Sequence, residues 1–291
     1  MTTPALDPRR HPYRDDIAAE ALRGIVRAPR YVEGRTRRVM HAATGLWTRP
    51  EPGAGWATEV LFGELVTVYD YDEQKGLAWV QLARDGYVGY VSALALSQTV
   101  GEPTHRVDVP GTALYAAPDA KALTWMHLSM NALVTVEEMG SGFARLAGGG
   151  FVPVRHLAAV DKFASDFVAV AERFIGTPYV WGGKTRLGLD CSGLVQTAMH
   201  AAGLAAPRDS DMQMAELGVP VEVRGDLAGL RRGDLVFWKG HVGILTDPLT
   251  LLHANAHHMA VTAEPLRGAV DRIARSGPAI AAIKRIEPGE A

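Results

Sequence analysis

The spacing of apolar positions changes along the chain, and the changes mark its segments. Residues 1–13 are rich in Pro and Arg and predict irregular structure. Ile17, Ala21, Leu22, Ile25 and Val26 recur at helical spacing, which predicts a short amphipathic helix over Asp15–Arg27 with its apolar face docked. From Arg35 to Ser97 the period becomes two. Val60–Glu64 leads into Leu65–Tyr69, and with Leu77–Leu82 and Gly86–Val91 these read as short strands between Gly and Asp punctuation, a small all-β barrel. Ala113–Tyr115, Ala132–Val136, Phe143–Leu146 and Gly150–Pro153 repeat that plan as a divergent second copy. After Asp161 the helical period returns. Phe163, Phe167, Val170, Ala171 and Phe174 share one face, and Gly176 with Pro178 closes the helix. Leu194, Val195, Ala198, Met199 and Ala202 share the face of another, stopped by Gly203. Ser210–Gln213 has the spacing of a capping box, opening a short helix that Gly218 ends. Strands follow at Leu235–Trp238, Val242–Thr246, Leu251–Ala254, Met259–Ala263 and Ala279–Arg285, with a helix near Val270–Arg275. Helices followed by an antiparallel sheet predict an α+β domain. The expected organisation is a segment 1–33, β modules 34–99 and 100–160, and the α+β domain 161–291.

Composition narrows the function classes. A net charge of −2 over 291 residues gives no basic footprint for nucleic acid or an anionic membrane. The single cysteine excludes an intrachain disulfide framework and a cysteine-rich zinc site. Residues 1–30 hold no apolar core of a signal peptide, and no apolar run is long enough to span a bilayer. The expectation is a soluble, cytoplasmic protein.

That cysteine, Cys191, directly follows Asp190, a favoured N-cap residue, so the thiol falls in the first turn of a helix. Backbone N–H groups and the helix dipole there favour a thiolate. His241 and His253 lie downstream at strand positions, where adjacent antiparallel strands would set one behind the other. A base and its orienting partner are what a thiol nucleophile needs. The residues alone leave Cys191 open between a nucleophile and a small buried hydrophobe. His241, His253, His257 and His258 have no carboxylate at ligand-like spacing and no His-Glu-x-x-His pattern, so neither metal nor other cofactor is expected.

Five stretches, in this order, resemble the NlpC/p60 family of cysteine peptidases. They are Gly176–Gly183, Asp190–Gly193, Arg232–Phe237, His241–Ile244 and Leu252–Ala254, within about residues 163–287. The resemblance implies a papain-like fold in which Cys191 is the nucleophile, His241 the base and His253 the orienting residue. It implies that Tyr179 helps stabilise the oxyanion, that Asp190 holds the substrate's free amine, and that Ser210 lines the same subsite; Ser192 is a further substrate-binding candidate. The plain readings, Asp190 as an N-cap and Ser210 as part of a capping box, are compatible with these. Arg208 is a candidate to pair a substrate carboxylate, with a solvated arginine as the alternative. The upstream modules resemble bacterial SH3 (SH3b) domains, so the expected fold is a papain-like domain behind two SH3-like β-barrels. This layout resembles the muropeptide-recycling branch, which cleaves γ-D-glutamyl–diamino acid bonds of small peptides with a free N-terminal L-Ala. In that branch the first SH3b domain walls the cleft. Glu64 and Tyr87 are the candidates for its contacts, with a strand-edge charge and a barrel aromatic as their plain readings. The rivals are a hydrolase or amidase acting on intact wall, and a non-catalytic SH3b peptide-binding protein. A small muropeptide is the only partner the sequence points to.

Overall fold

The computed structural model describes residues 6–51, 55–99, 101–222, 227–277 and 279–287, so the first five residues of the expected irregular stretch lie outside it. The chain divides into two compact units, Met1–Val160 and Asp161–Ala291.

Among its described residues the first unit is β structure with three short 3₁₀ turns and no α-helix. Strands 35–39, 65–72, 77–82, 88–92 and 96–97 form a five-stranded sheet, and 43–46 pairs with 58–61 in a separate hairpin. An isolated bridge, Trp47 to Tyr90, links hairpin to sheet. The second module has a five-stranded sheet (111–115, 124–129, 136–139, 143–146, 151–153) and a three-stranded one (105–107, 133–134, 157–159). Among the described residues the hydrogen-bond ladders leave each module as two sheets and do not run on into a closed barrel. Register shifts at Val68/Asp70 and Leu114/Tyr115 bulge two of the strand pairs without breaking them.

The expected helix at Asp15–Arg27 does not form. Ala18–Ala19 pairs with Tyr31–Val32, and only Glu20–Leu22 makes a single 3₁₀ turn. Ile17 is instead driven into the core with Leu77, Trp79, Val88 and Tyr90. Arg14 holds the segment extended: its guanidinium lies 4.6 Å from the Trp79 ring centroid and bonds Asp70 at 2.6 Å. Tertiary burial overrides a helical period that Gly24, at φ +81°, would have ended in any case.

Glu64 is buried, and so is Tyr87. The Glu64 Oε2 accepts the Leu61 N–H at 2.8 Å across the turn, and its Oε1 lies 3.5 Å from Arg84 Nε. Glu64 thus stands at the edge of strand 65–72, as the plain reading has it, but buried. The same turn joins the two β modules. Leu133 N donates to Phe62 O at 2.9 Å, and a Cβ on Gly63 would meet Leu133 O at 1.9 Å. Only glycine fits there, and φ +79° demands it as well. The Tyr87 N–H donates to Asp85 Oδ1 at 3.0 Å.

The second unit is α+β. Helix α1, Phe167–Glu172, is capped by Asp166, whose side chain accepts from Val168 N. That cap starts the helix later than the apolar period suggested, and Phe163 stays outside it, exposed. Helix α2 is Cys191–Ala201, α3 is Ser210–Glu216 and α4 is Leu266–Ser276. The six-stranded antiparallel sheet has the order 219–220, 282–285, 235–238, 241–247, 250–255, 260–265. Strand 219–220 was not expected, and α4 is longer than its predicted core. Helix α2 packs on strands 241–247 and 250–255, and all eleven of its residues are buried. It is thus enclosed on every side, where the sequence suggested one buried face. Two of its polar side chains meet one carbonyl inside: Gln196 Nε2 donates to Ala206 O at 3.0 Å, and His200 Nε2 lies 3.2 Å from the same oxygen. Among the described residues no helix is long and apolar enough to cross a membrane.

Candidate active site

Two loop-to-helix approaches set the position of Cys191. Asp190 is the N-cap of α2, and its Oδ1 accepts the Gly193 N–H at 2.7 Å. A Cβ on Gly193 would lie 2.2 Å from Gly183 O, and one on Gly183 would lie 2.5 Å from Gly188 O. These glycines let the Val180–Gly183 loop press against the first turn of α2, which seats the thiol at the helix start.

The Asp190 carboxylate is already full. Oδ1 accepts from Arg208 Nη1 at 3.0 Å and lies 3.3 Å from Ser192 Oγ, while Oδ2 accepts from Arg208 Nη2 at 2.7 Å and Gly182 N at 2.9 Å. Arg208 Nη1 also donates to Ser192 Oγ at 2.8 Å. Arg208 is 1 % exposed and Asp190 5 %. Two readings change. Arg208 is neither solvated nor presented to a substrate carboxylate, because its planar fork is committed to Asp190. Ser192 serves this ion pair with its hydroxyl. Ser210 is the first residue of α3, whose N-cap is Asp209 without a side-chain cap bond. The capping box with Gln213 does not form. Gln213 is wholly buried, and its Nε2 donates to Ser192 O and Pro207 O at 3.0 and 2.9 Å. Its amide ties α3 to the start of α2.

The histidines come together by strand register. His253 pairs across to Thr262 on the neighbouring strand. On its other side a Cβ on Gly243 would meet His253 Cβ at 3.2 Å and Leu251 Cδ1 at 2.6 Å, so glycine clears space for the ring. His241 Nε2 then lies 2.8 Å from His253 Nδ1, with ring centroids 5.0 Å apart. His253 is 1 % exposed, and its Nε2 lies 2.8 Å from Glu264 Oε1. Arg272, from α4, pairs with the same oxygen. Glu264 and Arg272 were not singled out from the sequence. The available signal was the period of two: Glu264 stands two residues beyond Thr262 and so shares its face of the sheet with His253.

Electrostatics keep this group neutral at rest. Burial pushes the Cys191 thiol up to about 12, with the Asp190 charge adding to it, against backbone N–H groups of Val242 and Ser192 and the Arg208 charge. The expected thiolate is therefore outweighed by desolvation: helix-terminal donors are present, but the thiol is only 8 % exposed. Burial, then the His253 and Arg272 charges, pulls His241 down to about 3. Burial likewise lowers His253, partly offset by Glu264. Tyr179 is half-buried beside Cys191 and Asp190, and burial with both their charges pushes its phenol up to about 12, so it keeps its proton as a donor. Among the described residues no group of three or more His, Cys, Asp or Glu side chains is placed to hold a metal ion.

A thiol at the start of a buried helix, against a strand whose imidazole leans on a second imidazole, can form a thioester and pass a proton. With the relationships below, this makes the chain a cysteine peptidase. Residues 176–272 match the NlpC/P60 family, and residues 46–96 match the bacterial dipeptidyl-peptidase Sh3 domain. The chain carries an NlpC/P60 domain behind a bacterial SH3 domain. It is 29 % identical over 219 residues to the gamma-D-glutamyl-L-lysine dipeptidyl-peptidase of Bacillus subtilis, covering 68 % of this chain and 71 % of that protein. It is 27 % identical over 244 residues to the protein of the same name from Bacillus cereus, covering 72 % and 70 %. The crystal structure of a Bacillus cereus NlpC/P60 family protein superposes with TM-score 0.71 at 21 % identity, over 87 % of this chain and all of that one, a likeness of fold.

Proposed function

We propose that this protein is a cysteine endopeptidase that hydrolyses the γ-D-glutamyl–diamino acid amide of small cell-wall peptides bearing a free N-terminal L-Ala. The observation that carries the chemistry is the seating of Cys191 at the first position of α2, with the Val242 N–H on its sulfur and the paired imidazoles beginning at the preceding residue, His241. The bond cleaved is drawn from the names of the Bacillus relatives.

In this reading His241 takes the thiol proton as sulfur attacks the γ-carbonyl carbon. The resting pair is neutral, so proton transfer accompanies attack. The tetrahedral oxyanion is met by the Tyr179 hydroxyl and the Cys191 backbone N–H, a donor that the start of a helix leaves without an intrahelical acceptor. Collapse breaks the C–N bond, and the His241 proton goes to the leaving amine. Water, deprotonated by His241, then hydrolyses the thioester and returns the proton to sulfur. His253 holds the His241 ring. The reading includes domain borders at 34, 100 and 161, a second, divergent SH3-like module ending near 160, and a role in peptide recycling in the cytoplasm.

The test is chromatography with mass detection on L-Ala-γ-D-Glu-L-Lys and its meso-diaminopimelate counterpart. The expected products are the dipeptide L-Ala-γ-D-Glu and the free diamino acid. An N-acetylated peptide cut as fast as the free amine, or intact sacculi cut faster than the tripeptide, would overturn the substrate assignment.

A further inference from the structure

We propose that Glu264, held by Arg272, is a positioning residue that fixes the tautomers of both histidines and so selects which nitrogen of His241 acts as the base. The inference rests on the reading of Cys191 and His241 given above.

The argument is one of donors and acceptors along a line of atoms. Glu264 Oε1 is ion-paired with the Arg272 guanidinium, and a carboxylate in an ion pair only accepts. His253 Nε2, 2.8 Å away, must then carry a hydrogen and donate it. A neutral imidazole has one N–H, so His253 Nδ1 is an acceptor. His241 Nε2 lies 2.8 Å from that nitrogen and must therefore be the donor. His241 Nδ1 is left with the lone pair, and that is the nitrogen that can take a proton from sulfur. A carboxylate three groups away from the thiol thus decides the chemistry at the near end.

The register makes this a built arrangement. His253 stands opposite Thr262, and Glu264 opposite Leu251, so His253 and Glu264 are diagonal neighbours on one face of the strand pair. Arg272 reaches the same oxygen from α4, which packs over strands 250–255 and 260–265. His258 Nδ1 approaches Glu264 Oε1 at 4.0 Å from the turn between those strands. When His241 takes the thiol proton, its positive charge is shared along Nε2–H to His253 and faces the Glu264 carboxylate. No proton need move beyond His241, and Arg272 balances the carboxylate in the resting state.

The experiment has two arms. Nitrogen-15 NMR of Cys191→Ala, which keeps all four partners, reads each imidazole's tautomer without needing turnover. The expectation is Nε2–H for both His241 and His253, and an Nδ1–H form dominating in either would overturn the proposal. In the second arm Glu264→Met should lower kcat on the order of 100-fold, with KM changed by less than about threefold, because the base is misdirected and the substrate is not touched. Glu264→Gln, which keeps an acceptor oxygen, should recover most of that loss. A Glu264→Met enzyme with wild-type kcat, or a Gln variant as impaired as Met, would sink it. Hydrolysis surviving Cys191→Ala would defeat the reaction reading alone, since the tautomer result stands apart from it.

Discussion

Arg208→Met tests the buried ion pair beneath the thiol. In the native protein the pair is bidentate, at 3.0 and 2.7 Å, with both partners buried. The substitution keeps much of the arginine stem volume and removes the charge. Asp190 keeps two backbone donors, Gly182 N and Gly193 N, and loses both guanidinium bonds. Removing one partner of a buried pair costs about 3–5 kcal/mol, because the remaining charge is stranded away from water. Set against a typical stability of about 5–15 kcal/mol, that is a large fraction. With a urea slope of about 2 kcal/mol per molar, the unfolding midpoint of the peptidase unit should fall by about 2 M. The double variant Arg208→Met/Asp190→Asn removes the stranded charge and should regain part of the loss, a coupling of at least about 1–2 kcal/mol. Urea titration followed by tryptophan fluorescence, with hydrogen exchange across α2, measures both. A single variant within about 1 kcal/mol of wild type, or a double variant equal to the sum of the singles, would refute the reasoning.

Gly193→Ala should be worse than its helical setting suggests: the new Cβ would lie 2.2 Å from the Gly183 carbonyl oxygen, so the loop must move. Loss of about 2–3 kcal/mol with a displaced, poorly reactive thiol is expected, and near-native melting and alkylation would contradict it. Stability should fall as pH drops from 7 to 5. The depressed folded pKa values of His241 and His253 mean that the unfolded state binds more protons in the window below about 6.5, down to about 3 for His241. Each imidazole contributes up to about 1.4 kcal/mol per pH unit there, so the urea midpoint should drop, and drop less in His253→Gln; identical drops would remove the assignment. The raised Cys191 pKa acts at the other end. Iodoacetamide alkylation should climb through pH 9 without a plateau, whereas a plateau near pH 6 would reveal a resting thiolate–imidazolium pair.

What the sequence revealed, and what it hid, follows from how local each cause is. Asp190 before an apolar helical period is a local signal, and Asp190 does cap α2 with Cys191 as its first residue. The strands bearing His241 and His253 were legible because alternation is local too. The N-terminal helix failed because Ile17 answers to Trp79 and Tyr90, far along the chain, rather than to its neighbours. The capping box failed for the same reason: Gln213 spends its amide on Ser192 and Pro207. Arg208 was misread because an arginine alone looks solvated, and its partner lies eighteen residues earlier. The thiolate expectation counted the helix-end donors and left out the desolvation of a buried sulfur. Glu264 was within reach: once the 250–255 and 260–265 strands are paired, its face follows from parity alone.

The most direct test of the central claim is hydrolysis of L-Ala-γ-D-Glu-L-Lys by Cys191→Ala, measured beside wild type by release of L-Ala-γ-D-Glu. With Cys191 as the nucleophile, the variant should fold normally and lose activity by a factor on the order of 10⁴ or more. A folded Cys191→Ala protein that still releases the dipeptide at a comparable rate would contradict it.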